Sequence, residues 1–368
     1  MDTLTQHGYL VLADISGYTS YLAGVELDHA HEILTDLLEV IVGRFKSSLT
    51  IAKLEGDAVF AHAPQAKLPR GETLLELVES TYVAFRDRRE AAHRRTTCEC
   101  KACQGIPSLD LKFITHHGDY IVQNVSGINE LVGSDVNLIH RLLKNHIAEA
   151  TGWRAYALFT EKSLEHIGVQ LDGVHSQIET YEHLGDVRTL SFDLHQRYQA
   201  VVGARRVFIT QVEADLVMTQ DLPEPVLAVW DWINDPRKRI QWDDLDEVKP
   251  ILRPGGRNGP GARNHCIHGK LVAVEDVLDW RPFDYFTVRI CRQGFCITRT
   301  CEFFPIADGQ QTRLHTNFFV EKMPAPLPDW LVRRLARPFL VRLGHVVKTR
   351  NQMARLVAEE AAALAAGA

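Results

Sequence analysis

The sequence predicts an α+β protein of two domains, and three observations lead there. The chain has 368 residues, about twice the length of a typical domain of roughly 100–200 residues. In its first half, short apolar runs that read as strands alternate with long stretches of helical apolar spacing. In its second half, a tryptophan-bearing helix leads into a series of strand-like segments and one long closing helix. The expected layout is a sandwich of helices on a sheet over 1–200, a linker near 196–206, and a largely antiparallel sheet with a C-terminal helix over 206–368.

The N-terminal elements follow in order. Tyr9 to Ala13 is a buried strand running into the turn residues Asp14-Ile15-Ser16-Gly17. Ile33, Leu34, Leu37, Leu38, Ile41 and Phe45 recur at helical spacing. Leu49 to Lys53 and Ala58 to Ala61 flank Glu55-Gly56-Asp57, a hairpin turn. Thr73 to Ala92 is a second helix, and an irregular cysteine-bearing insert lies within 93–105. Leu111 to Thr115 reads as a strand ending at His116-His117-Gly118, Val136 to Leu143 as a helix, and Thr189 to Leu194 as a closing strand.

In the second half, Val207 to Met218 reads as a long strand and Pro223 to Asn234 as a helix carrying Trp230 and Trp232. Strands are expected over Asn264 to His268, Lys270 to Leu278, Tyr285 to Cys291, Cys296 to Phe304 and Thr312 to Glu321. From about Pro328 a helix presents Leu331, Leu335, Phe339, Leu343 and Val347 on one face, with a kink at Pro338.

Composition narrows the function classes. A hydrophobic fraction of 45% and a charged fraction of 24% are those of a globular protein. A formal net charge of -6 argues against a general nucleic-acid binder, which needs a basic face. No run is long and charge-free enough to span a bilayer, and Met1 to Gly8 lacks the pattern of a secretory signal. Seven cysteines, three of them clustered, suit a reducing compartment and a metal site better than a disulfide framework. A cytoplasmic protein is the expectation.

Four features carry chemistry. Asp14 ends the first strand, and Asp57 sits in the hairpin turn behind Lys53. Glu130 precedes Gly133, and Arg141 follows Asn137 by one helical turn on the same face. Two carboxylates at neighbouring strand ends can hold Mg²⁺ or Mn²⁺ together with substrate phosphate oxygens. A metal pair supports in-line displacement at phosphorus. Arg141 can offset charge growing on a phosphate, and Asn137 can position a ribose. Lys53 as donor and Glu130 as acceptor match the acceptor at N1 and the donor at N6 of adenine. Taken singly, Asp14 and Asp57 also suit plain turn residues.

The motifs Asp14-Ile15-Ser16-Gly17-Tyr18-Thr19, Lys53-x-x-Gly56-Asp57 and Gly133-x-x-Val136-Asn137-x-x-x-Arg141 resemble the catalytic domain of class III adenylate/guanylate cyclases, over roughly residues 8–194. The resemblance implies a ferredoxin-like cyclase-type sandwich and metal binding by Asp14 and Asp57. It further implies purine selection by Lys53 and Glu130, transition-state stabilisation by Asn137 and Arg141, and ATP or a related nucleotide as ligand. It also implies a homodimer with each site built across two subunits. The chain departs from the family at Tyr181-Glu182-His183-Leu184-Gly185-Asp186, which lacks the lysine usually offered to the terminal phosphates. Arg188 is a possible substitute.

The insert is a second departure. Cys98, Cys100 and Cys103 supply three thiols in six residues, suited to structural Zn²⁺ with a fourth ligand from His93, His116, His117 or a partner subunit. Otherwise they are free thiols, or a redox cluster beside Lys101 and Arg95. Cys266, Cys291, Cys296 and Cys301 read as small buried hydrophobes.

Residues 207–357 resemble, by topology and in Pro225 to Trp242, the START/polyketide-cyclase-like (SRPBCC) helix-grip proteins. That resemblance implies an apolar cavity for a lipid or other hydrophobic molecule. Trp230, Trp232, Trp242 and Trp280 read as core packing, and no catalyst stands out, though His265 and His268 are available. The leading expectation is a cyclase forming cyclic AMP from ATP under control of the helix-grip domain. The alternative is an inactive nucleotide sensor or scaffold whose second domain binds or transports a hydrophobic molecule. A third reading makes the helix-grip domain an enzyme.

Overall fold

The computed structural model describes residues 5–68, 70–95, 98, 100–169, 171, 173–203, 206–322, 331 and 345–366. It divides into two compact units, Met1–Ala204 and Arg205–Ala368. In the first unit the strands are β1 (Thr5–Ser16), β2 (Thr50–Glu55), β3 (Ala58–Pro64), β4 (Asp110–Val125), β5 (Ile128–Val132), β6 (Tyr156–Thr160), β7 (His175–Tyr181) and β8 (Gly185–Asp193). Its helices are α1 (Tyr18–Leu22), α2 (Leu27–Lys46), α3 (Gly71–Arg95), α4 (Lys101–Gly105), α5 (Ser134–Leu142), α6 (Ile147–Thr151), α7 (Glu161–Ile167) and α8 (Leu194–Gly203). The sheet order is β2-β3-β1-β4-β6-β8-β7 with β5 paired to β4. The β4–β6 pair is parallel and the others are antiparallel.

β1 is apolar without interruption from Tyr9 to Ala13, and all five residues are buried. That is the signature of a strand covered on both faces. Leu10 and Leu12 belong to a core shared with Ile114, Tyr120 and the α5 residues Val136, Leu138, Ile139 and Leu142. Leu34, Leu37, Ile41 and Phe45 line the buried stripe of α2, and Phe45 meets Phe113 of β4 with ring centroids 6.3 Å apart.

Three expectations for this unit are corrected. The strand read as ending at His116-His117-Gly118 runs on to Val125. Gly118 is there for close approach, since a Cβ on it would lie 2.4 Å from Asp135 Cγ. It stands directly opposite Gly8 of β1, where a Cβ would lie 2.2 Å from the Ala63 carbonyl oxygen. Gly8→Ala is therefore expected to cost about 1–3 kcal/mol of stability, read as a lower urea midpoint at unchanged m-value. The insert is not wholly irregular: Lys101–Gly105 form a short helix with Cys100 as its N-cap, the Sγ accepting from the Cys103 N–H at 3.4 Å. The stretch read as linker is largely helix α8. Its Arg197 pairs with Glu79 at 2.8 Å, and its Tyr198 donates to Asp87 at 2.8 Å, both on α3.

The second unit is one seven-stranded antiparallel sheet in the order β10-β11-β12-β13-β14-β15-β9. Its strands are β9 (Leu216–Leu222), β10 (Glu247–Leu252), β11 (Arg263–His268), β12 (Leu271–Arg281), β13 (Tyr285–Arg292), β14 (Phe295–Ile306) and β15 (Gln311–Lys322). Helices α9 (Val226–Asn234) and α10 (Pro236–Trp242) follow β9, and α11 (His345–Ala366) closes the chain. α11 packs on α9 and α10, with Met353 and Val357 buried and Glu360 bonded to Trp232 Nε1 at 2.5 Å and Lys238 Nζ at 2.9 Å. Among the described residues no helix is long and apolar enough to cross a membrane.

Here the strand expected over Val207 to Met218 begins only at Leu216. Thr210 and Glu213 close a turn instead: the Thr210 N–H and Oγ1 both donate to Glu213 Oε2, at 2.9 and 2.7 Å. The Val207 and Ile209 amides go to the Asp279 and Thr300 side chains rather than to a neighbouring strand. Pro328, Leu335, Pro338, Phe339 and Leu343 of the expected closing helix, with its kink, lie outside the described residues.

Candidate functional site

Asp14 alternates along β1 with Leu10 and Leu12, so its side chain shares their face. The register sets it opposite Ala58 of β3 and Lys112 of β4. Gly56, at φ 68, turns the β2–β3 hairpin, and the Asp57 carbonyl accepts from the Ile15 N–H at 3.2 Å. The two carboxylates are thus delivered to one sheet end by strand pairing alone. Burial, and after it the Asp14 charge, pushes the Asp57 carboxyl up to about 6. Two like charges held together this way, partly desolvated, form a place where a divalent cation fits.

Lys112 was not singled out in the sequence, yet its Nζ lies 3.0 Å from Asp14 Oδ2 and 3.4 Å from the Leu143 carbonyl oxygen. Burial works against its ammonium, but Asp14 and further acidic neighbours outweigh that and hold its pKa above the ordinary lysine value. Two carboxylates share one ammonium, which leaves the cluster a net charge deficit that a metal could meet.

The other expected residues, Lys53, Glu130, Asn137 and Arg141, are all exposed on the same unit. Lys53 Nζ lies 2.9 Å from Glu55 and 3.5 Å from Glu130, so the expected purine-reading pair is brought together across β2 and β5. Glu55 also receives His140 Nδ1 at 3.4 Å. α5 turns Val136, Leu138, Ile139 and Leu142 inward and leaves Asn137 and Arg141 exposed. At the hairpin between β7 and β8, His183 sits at φ 68 and is 87% exposed beside Glu182. Arg188 is engaged by Glu161 at 3.6 Å.

In the insert, Cys98, Cys100 and Cys103 converge with His29, all four ligand atoms within 4.8 Å of one another. Within this chain the histidine beside the thiols is His29, not His93, His116 or His117. His116 is committed to Thr160 Oγ1 at 2.8 Å and Asp135 Oδ1 at 3.0 Å, and His117 stacks on His166 at 3.7 Å. His93 lies on α3 and is not in the group. No spacing rule could pair His29 with thiols some seventy residues later. Only the packing of α4 on α2 does so.

Among the described residues, the second unit offers no comparable site. A cavity of about 20 Å³ is of water size, with Arg239, Arg253, Glu275 and Arg299 lining it beside apolar Val248, Val277 and Phe286. Trp230 is fully buried and meets Trp280, Phe283, Phe286 and Phe303 at 4.9–5.7 Å, so Trp230 and Trp280 are core, as are the buried Trp232 and Trp242. His268 bonds the Asp244 carbonyl. Cys266 and Cys301 are buried thiols. Cys291 and Cys296 depart from the expected small hydrophobes: they face each other across the β13–β14 hairpin and are disulfide-bonded. Gln293 and Gly294, at φ 48 and 81, make the two-residue turn that sets this register.

Residues 34–151 match a family described as "Protein of unknown function (DUF2652)". Over 114 residues the chain is 36% identical to "Uncharacterized protein Rv2561/Rv2562" of Mycobacterium tuberculosis, covering 31% of this chain and 52% of that protein. The chain therefore spans about half the length of this curated relative. Among solved structures, the guanylyl cyclase Cya2 aligns at 16% identity and a TM-score of 0.40, covering 51% of this chain and 93% of that one. The adenylyl cyclase CyaB from P. aeruginosa aligns at 16% identity and a TM-score of 0.34, covering 50% and 95%. DynU16, a putative protein in the dynemicin biosynthetic locus, aligns at 19% identity and a TM-score of 0.28, covering 38% and 45%. At these scores the likenesses carry no argument about activity, which rests on the residues themselves.

Proposed function

We propose that the N-terminal unit is a metal-dependent, cyclase-like nucleotide site that forms cyclic AMP and pyrophosphate from ATP, completed by a second copy of the chain. The observation that carries this reading is the pairing of Asp14 with Asp57 at one sheet end, with Asp57 pushed up to about 6 by burial and by Asp14. Bound Mg²⁺ or Mn²⁺ would supply activation of the ribose hydroxyl and charge relief at the phosphates. Asp14 and Asp57 hold the cations. The Lys53 ammonium donates to adenine N1 and Glu130 accepts from the N6 amine. Asn137 orients the ribose, and the exposed Arg141 fork meets charge growing on the α-phosphate. The exposure of Arg141 and Asn137 supports a site whose other half comes from a partner.

The same proposal gives the C-terminal unit a regulatory role, with a hydrophobic small molecule as its ligand. What supports it is the antiparallel sheet followed by a closing helix. The water-sized cavity at Arg239 and Glu275 does not serve such a ligand.

Lys112 favours a second reading, in which nucleotide is bound but not cyclised, because its ammonium already occupies one oxygen of Asp14. The test is purified protein with ATP or GTP and Mg²⁺ or Mn²⁺, product followed by mass spectrometry. Cyclic AMP from the parent chain supports cyclisation. ATP bound without product supports the second reading, and Lys112→Met should then tighten Mn²⁺ by about tenfold or more, as a like charge leaves the site. Absence of both nucleotide and metal binding contradicts both.

A further inference from the structure

Outside the nucleotide face, one group of side chains has a geometry that hydrogen bonding does not account for. His29 Nδ1 lies 3.2 Å from Cys100 Sγ, 3.5 Å from Cys98 Sγ and 3.8 Å from Cys103 Sγ. A neutral ring nitrogen has one lone pair or one proton, so it satisfies one thiol, not three. A tetrahedral metal explains all three contacts. With Zn–N about 2.05 Å and Zn–S about 2.3 Å, the N-to-S edge of a tetrahedron is about 3.6 Å. The observed values straddle it. None of the three thiols is in a disulfide, and the four atoms are too close together to enclose a multi-iron cluster.

We propose that His29, Cys98, Cys100 and Cys103 form a closed, structural Zn²⁺ site. Three thiolates and one imidazole select zinc by softness and geometry. Four protein ligands leave no open position, so the role is structural rather than catalytic. Loading exchanges three thiol protons for one metal ion: the three sulfurs and Nδ1 each donate an electron pair to Zn²⁺, and three protons pass to solvent.

The site joins α2 to the insert that carries α4. His29 stands in the first turn of α2, and Cys100 caps α4. The same insert is tied to α1 and its exit: the Tyr21 hydroxyl donates to the Ala102 carbonyl at 3.1 Å, and the Ala102 N–H donates to Glu26 Oε2 at 3.2 Å. Since α1 directly follows Asp14-Ile15-Ser16-Gly17, the metal braces the loop behind Asp14. The zinc assignment itself stands without the nucleotide reading.

The full chain, purified without added metal, is expected to carry about one zinc per molecule by elemental mass spectrometry. Replacement by Co²⁺ should give the intense visible bands of a tetrahedral site with sulfur-to-cobalt charge transfer. Cys103→Ser and His29→Ala should each lower zinc affinity by more than about 100-fold. Because loss of a structural metal can unfold those variants, the parent chain is also stripped with chelator and reloaded. Its three thiols should react with a disulfide reagent only when stripped. A chain that neither carries zinc nor takes it up, or thiols equally reactive with and without metal, would overturn the site. A cobalt spectrum unchanged in His29→Ala would remove His29 from it.

Discussion

Glu275→Leu should lower the stability of the C-terminal unit by about 3–5 kcal/mol, the cost of leaving buried cations without their anion. The Glu275 carboxylate is buried and takes Arg239 in a two-pronged pair at 2.8 and 3.0 Å, the Asn264 amide at 3.0 Å and Arg299 at 3.5 Å. Burial alone would raise its pKa, but Arg239, and after it Arg299 and Asn264, hold it down at about 2. The ordinary value in the unfolded chain is higher, so the unfolded state binds the proton first as pH falls. The stabilisation is complete above the ordinary glutamate range and disappears as pH falls through about 2. Adding Arg239→Met to Glu275→Leu should recover part of the loss, and Arg299 limits the recovery. Tryptophan fluorescence in urea reads this unit, because Trp230, Trp232, Trp242, Trp280 and Trp330 all lie in it and only Trp153 lies outside. A double-variant loss equal to the sum of the Glu275→Leu and Arg239→Met losses would show that the pair is not coupled.

Asp57→Asn should abolish product formation, by at least about 100-fold, while making the metal-free fold more stable. The second half of that prediction separates a functional carboxylate from a structural one. A native pKa raised from 3.8 to about 6 means the folded chain binds a proton more tightly than the unfolded chain. Stability therefore falls as pH rises through that window, and above it the charged Asp57 costs stability. An amide of the same shape removes the cost. A higher Tm with lost turnover fits a carboxylate kept for its metal. A lower Tm would mean that Asp57 serves the hairpin turn.

What was legible in the sequence was whatever rests on local periodicity or on order along the chain. β1, α2 and the β2–β3 hairpin follow from apolar spacing and from Gly56. The meeting of Asp14 and Asp57 follows from two strand ends flanked by turn residues. What was not legible depends on who meets whom across the fold. Lys112 is a lone cation between Leu111 and Phe113 in an apolar strand, and nothing local says that β4 sets it opposite Asp14. His29 reaches the thiols only through the packing of α2 on α4. Gly118 carries the mark of a turn, but its lack of a Cβ is used to let Asp135 close over the strand. Thr210 and Glu213 sit in a run whose alternation imitates a strand, and a side-chain bond decides for a turn.

The most direct measurement is a mixing experiment with ATP and Mn²⁺, cyclic AMP followed by mass spectrometry. The parent chain is expected to form cyclic AMP, and Asp57→Ala and Arg141→Ala are each expected to lose it. If metals come from one copy and Arg141 from the other, a heterodimer of the two variants has one site carrying both lesions and one intact. Random exchange at equal amounts makes half the dimers mixed, so the mixture should return about a quarter of the parent's sites. No cyclic nucleotide from the parent chain, or a mixture as silent as either variant despite subunit exchange, would contradict the shared cyclase-like site.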